Sequence, residues 1–179
     1  VDSEGLGITL KLHKDDNDEV GSLLADSGYG ITQLFATLLN IEVAIMERKV
    51  SKVLADDDIN PIPTEEDEIT KYSIPTIAIE EPEIHLHPSY QSMLADMFYE
   101  AYSNYGVHFI IETHSEYLIR KFQLLVAGVD NVERLNKKDI SVLYVYSPEE
   151  AEQTGEPQVK SIGICSDGYL NDSFGSGFF

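Results

Sequence analysis

Two adjacent carboxylates, Glu80 and Glu81, follow an apolar, β-branched run from Thr76 to Ile79. Neighbouring side chains on an extended chain point to opposite faces. One acid can therefore hold a divalent cation while the other orients or deprotonates a water. Pro82 fixes the backbone directly after the pair, and Glu83, His85 and His87 come next. A His-x-His pair with nearby carboxylates can also share one metal ion, a second chemistry open to this stretch. A third titratable position, His114, lies in Glu112-Thr113-His114-Ser115. Each feature has a plainer reading. Paired glutamates at a strand end commonly form a solvated turn, His87 before Pro88 suits a helix cap, and His85 suits an interface.

The elements that must place these residues are legible around them. Thr76–Ile79, fenced by Pro75 and Pro82, reads as a buried strand of a mostly parallel sheet. Pro88 suits the first position of a helix, with Met93, Leu94, Met97, Phe98, Ala101 and Tyr102 as its core face and Gly106 as its stop. Val107–Ile111 reads as a second buried strand. Ser115 can cap the next helix, with Leu118, Ile119, Phe122, Leu125 and Val126 inward and Gly128 ending it. Two successive strand–helix units thus carry titratable residues at the strands' carboxyl ends, where open α/β sheets bind their ligands.

Upstream, Gly7–His13 alternates apolar and polar side chains like a strand, and Lys14–Glu19 suits a solvated hairpin turn. Ser27-Gly28-Tyr29-Gly30 has the form of a permissive helix start. The helix after it carries Leu34, Phe35, Leu38, Leu39, Ile41 and Ile45 as an apolar face. A hydroxyl and free N–H groups there suit phosphate. Residues 55–71, with Asp56-Asp57-Asp58 and Glu65-Glu66-Asp67-Glu68, read as an acidic, proline-punctuated insertion. In the tail, Ile140–Tyr146 and Gln158–Cys165 read as strands around a polar loop, with Cys165 a small core residue in the second.

The formal charge of -20, from 12 Lys and Arg against 32 Asp and Glu, argues against a nucleic-acid or anionic-membrane surface on this segment. One cysteine allows no internal disulfide and fits a reducing, cytoplasmic setting. No apolar run reads as long enough to span a bilayer, and no signal-peptide pattern opens the chain. The missing initiator Met and the closing Phe178-Phe179 suggest a fragment.

Thr-Ile-Ala-Ile-Glu-Glu-Pro-Glu-Ile-His-Leu-His-Pro resembles the Walker B and D-loop segment of ABC-type ATPase heads, in the AAA-like branch related to the RecF and OLD proteins. Ile-Ile-Glu-Thr-His-Ser resembles that family's switch-histidine segment, and Ala-Asp-Ser-Gly-Tyr-Gly-Ile-Thr-Gln its signature motif. The order of the three is the family's order. The resemblance covers 23–126 and implies a P-loop NTPase fold, α/β with a mostly parallel sheet. It divides the chain into the C-terminal portion of a head, 1–128, and a small β-rich extension, 129–179.

By that resemblance, Glu80 holds Mg²⁺ through water, Glu81 polarises the attacking water and His114 contacts the γ-phosphate of ATP. Ser27, Gly28 and Gly30 press on a nucleotide held by a second head, and Pro82, Glu83 and His85 belong to the D-loop at that interface. The sequence departs from the family in that no Gly is followed by Lys, so the Walker A loop, Gly-x-x-x-x-Gly-Lys-Ser/Thr, is missing, and the Q-loop that normally follows it cannot be placed either. An N-terminal lobe carrying that loop is an expected partner, with a second head and a nuclease or other effector. Two alternatives stand beside the ATPase: a metal-dependent hydrolase using His85 and His87, and a non-catalytic dimerisation module.

Overall fold

The computed structural model describes residues 11–12, 22–23, 28–56, 74–128 and 135–175. The chain divides into two compact units, one of residues 1–86 and 101–112, the other of residues 87–100 and 113–179. The predicted turn at Lys14–Glu19, Ser27, and residues 57–71 of the acidic insertion lie outside the described residues.

In the first unit, β1 (Lys11–Leu12) pairs antiparallel with β2 (Ser22–Leu23). The long helix α1 (Tyr29–Asp56) follows, extending into the start of the predicted acidic connection. Strands β3 (Thr76–Glu80) and β4 (His108–Glu112) form a parallel pair in register from Thr76↔His108 to Glu80↔Glu112. Parallel strands need a crossover, supplied here by helix α2 (Pro88–Tyr105). Pro88 and Gly106 stand at the two ends of that helix as predicted, Gly106 with φ +65°.

Strand burial differs from expectation. Along both β3 and β4, half-buried residues alternate with exposed ones, and Ile110 is 66% exposed. A parallel strand becomes uniformly buried only when both its faces are covered. Here α1 covers the face of β3 that carries Ile77 and Ile79. Helix α1 buries Thr37, Ile41, Ala44 and Ile45, a helical stripe. Leu38 (41% exposed) and Leu39 (53%), predicted to be in the core, lie outside it, because a straight helix presents only one narrow stripe to a two-stranded sheet. Further along, Arg48 Nη1 donates to the Gly106 carbonyl at 2.6 Å, and the Lys49 ammonium lies 5.3 Å from the Tyr105 ring centre.

Tyr29–Lys49 of α1 is also long and apolar enough to cross a membrane, which corrects the expectation that no such run exists. Ile41, Ala44 and Ile45 of that stretch are instead buried within the protein.

In the second unit, Leu94, Ala95 and Phe98 of α2 are buried, while Met93, predicted to be inward, is 59% exposed. Helix α3 (Glu116–Ala127) buries Leu118, Ile119, Leu125 and Val126 and ends on Gly128 in the left-handed conformation, as predicted. Lys121 pairs with Asp96 at 3.0 Å. Strands β5 (Val142–Val145) and β6 (Val159–Ile162) form an antiparallel hairpin. Its connection holds a short helix, α4 (Pro148–Thr154), where a polar loop was expected. The cause is a capping box: Ser147 accepts from the Glu150 N–H, and the Glu150 carboxylate accepts from the Ser147 N–H. Cys165 is half-buried in the turn after β6, where its carbonyl accepts from the Gly168 N–H, so it belongs neither to a strand nor to the core.

Across the hairpin, Lys160 lies 2.9 Å from Asp172 and 3.7 Å from Glu156. The hydrogen bond from Lys160 holds the Asp172 carboxyl below the usual carboxylate range, helped by the Ser173 N–H. The same bond raises Lys160 above the ordinary lysine value against the opposing effect of its partial burial.

Candidate active site

The carboxyl end of β3 is built by its own turn chemistry. Glu80 closes the strand with an exposed side chain, and Glu81 is half-buried with φ +43°, in the left-handed region that non-glycine residues seldom occupy. The Glu81 N–H donates to the Glu112 carbonyl at 2.9 Å, one rung beyond the last paired residues. Its carbonyl accepts from Ile84 N–H at 3.1 Å, and the Glu83 carbonyl accepts from Leu86 N–H at 3.0 Å. Pro82 and Glu83, within this turn, are buried. His85 takes a second left-handed conformation, φ +60°.

The two acids thus occupy different surroundings, because the chain leaves the extended conformation between them, at Glu81. Glu112, which sequence reasoning passed over, is the register partner of Glu80, so both side chains stand on one face of the pair. The available signal was positional: Glu112 ends β4 as Glu80 ends β3. An open groove of about 490 Å³ runs from Tyr29, Gln33, Thr37 and Asn40 of α1 along Ile77 to Glu80.

In the second unit, His114 is exposed on the short link into α3. That link is fixed on both sides of it. Ser115 N–H donates to Thr113 Oγ1 at 3.0 Å, and buried Ser115 donates through Oγ to Gln91 Oε1 at 2.7 Å while accepting from Leu118 N–H at 3.1 Å. Gln91 and Thr113 are therefore further supports of the candidate histidine.

The two imidazoles of the His-x-His pair have separate local partners. His85 meets the Tyr29 ring edge-on at 5.3 Å, and His87 Nδ1 lies 2.8 Å from Ser89 Oγ, capping the start of α2. Among the described residues no group of three or more His, Cys, Asp or Glu could hold a metal ion. A site of one or two carboxylates with waters and ligand phosphates is the donor set that Mg²⁺ accepts, and Glu80 with Glu112 fits it.

The family profile of the AAA ATPase domain matches residues 3–119. The chain belongs to the AAA ATPase domain family. The matched span is well over half of the chain and holds Glu80, Glu81, Glu112 and His114. No curated protein and no solved structure matches it. The AAA ATPase assignment makes this an ATPase-type, nucleotide-binding domain, in keeping with an α/β fold that contains a parallel strand pair.

Proposed function

We propose that this chain is the part of an ABC-type ATPase head that carries the strand-end acids, and that it pairs with a second head around MgATP to switch an attached or partner effector. The observation that carries this reading is Glu81 held just beyond the end of a parallel strand, beside Glu80, in a chain of the AAA ATPase domain family. Mg²⁺, when bound, neutralises charge on the transferring phosphoryl group, and Glu80 with Glu112 offers it oxygen donors. Glu81 orients the attacking water and takes up its proton on a carboxylate oxygen. His114 meets the γ-phosphate. Ser27, Gly28 and Gly30 serve the partner head's nucleotide, and Pro82, Glu83 and His85 face that interface.

Another segment or chain supplies the phosphate cradle, since no Gly-Lys pair occurs in this sequence. A single free cysteine fits the cytoplasm, and a charge of -20 leaves DNA contacts to a partner.

The test is steady-state hydrolysis of MgATP by the complete protein, with chelation of Mg²⁺ as control. Glu81→Gln retains nucleotide and stalls turnover. Hydrolysis at the parent rate by Glu81→Gln overturns the role of Glu81. The 179-residue chain alone binds MgATP weakly; tight binding by it would overturn the divided cradle.

A further inference from the structure

The first turn of α1 meets the turn after β3 at three points, all within the first unit. A β-carbon on Gly30 would lie 2.5 Å from the His85 carbonyl oxygen and 3.0 Å from its carbonyl carbon. Gly30 is helical and has no positive φ, so what demands glycine there is the close approach of another main chain. The Tyr29 ring packs edge-on against the His85 imidazole. The Gln33 side-chain amide donates to the Glu81 carbonyl at 3.4 Å. The two residues contacted, Glu81 and His85, are the two non-glycine residues with positive φ among the described residues. Such conformations persist only where the surroundings over-determine them.

We infer that Gly30 and Gln33 are positioning residues for Glu81, acting within one chain. Gly30 lets the start of α1 seat against His85, and Gln33 clamps the Glu81 carbonyl, so the strand-end turn keeps the left-handed conformation that aims the Glu81 carboxylate. The catalytic meaning of this clamp rests on the ATPase reading; the clamp itself does not. Gly30 thereby gains a role inside its own chain, toward Glu81.

Gln33→Glu keeps the size of the side chain and removes its amide donor, and Gln33→Lys returns a donor of similar reach. In the complete protein, Gln33→Glu lowers kcat for MgATP about tenfold with KM unchanged, and Gln33→Lys recovers most of the loss. Gly30→Ala lowers kcat at least as much. In the isotope-labelled chain, the Glu81 and Ile84 amide resonances shift in Gln33→Glu while those of the β5–β6 hairpin stay in place. Parent-like turnover by Gln33→Glu, or unmoved Glu81 and Ile84 resonances, overturns the positioning role. A parent protein that hydrolyses no ATP removes the ATPase reading alone, and the resonance shifts then decide the clamp by themselves.

Discussion

Between β3 and α2 the chain turns from Glu81 to His85, both in left-handed conformations, with Pro82 and Glu83 between them buried. Between β4 and α3 it passes through Thr113 and His114 to Ser115, a regular N-cap with φ −84° and ψ 112°. Both connections leave parallel strands at the same register position, Glu80 beside Glu112. One stores backbone strain and the other relieves it through hydroxyl bonds. Left-handed residues of this kind cost about 1–3 kcal/mol each and cluster where a side chain must be aimed. On the proposed ATPase reading, a fixed direction matters for Glu81, whereas a standard helix entry suffices for His114.

The largest expected effect separates the two connections by activity. Glu81→Gln should lower MgATP turnover about 10²–10³-fold, against about tenfold for His114→Ala. Equal losses, measured as kcat in the complete protein, would break the ranking.

Removing the cap of the relaxed connection comes next. Ser115→Ala should cost about 1–2 kcal/mol, read as a lower denaturant midpoint, because it strips the α3 cap and the bond to half-buried Gln91. A cost within error of zero would show that the link is held by other contacts.

The strained connection should respond in the opposite direction. Glu81→Gly should stabilise the fold by about 1 kcal/mol while abolishing turnover, since glycine adopts φ +43° without a Cβ penalty. Thr113→Gly, with no such strain to relieve, should lower stability. Loss of stability in Glu81→Gly would remove strain from the account.

The smallest effect belongs to the Lys160–Asp172 pair, far along the sequence from both connections. The Asp172 carboxyl is lowered, so its contribution is present above the ordinary aspartate range and is lost as pH falls through its own depressed value. Lys160 is raised, so its contribution is present below the ordinary lysine range and is lost as pH rises through the elevated value. Asp172→Asn should flatten both limbs of the pH–stability curve of the β5–β6 hairpin. A curve that keeps both limbs would assign them to other groups.

What could be read in advance follows from how local each cause is. Pro88, Gly106, Ser115 and Gly128 bound their helices through single-residue backbone preferences, and each stands where the sequence predicted it. The parallel pair was legible because two short apolar runs flank one helix-periodic segment. Helix faces were less legible: Leu38, Leu39 and Met93 are apolar and correctly spaced, but exposure depends on what lies opposite. Helix α4 was readable in principle, since Ser147-Pro148-Glu149-Glu150 is a capping signature. At the candidate site, Glu80 and Glu81 announced themselves by adjacency. Glu112 became visible only through strand register, and Gln33 only through a tertiary contact. The left-handed turn at Glu81 had no signal, because neither Glu nor Pro requests it.

The setting of Lys160 has a consequence for reagents as well as for pH. Its side chain is 14% exposed and its amine is held protonated between Asp172 and Glu156, whereas Lys137 and Lys138 are exposed. Acylating agents attack the neutral amine, so Lys137 and Lys138 should be modified before Lys160. An acyl group on Lys160 therefore records that the hairpin has opened, a chemical clock written into the chain.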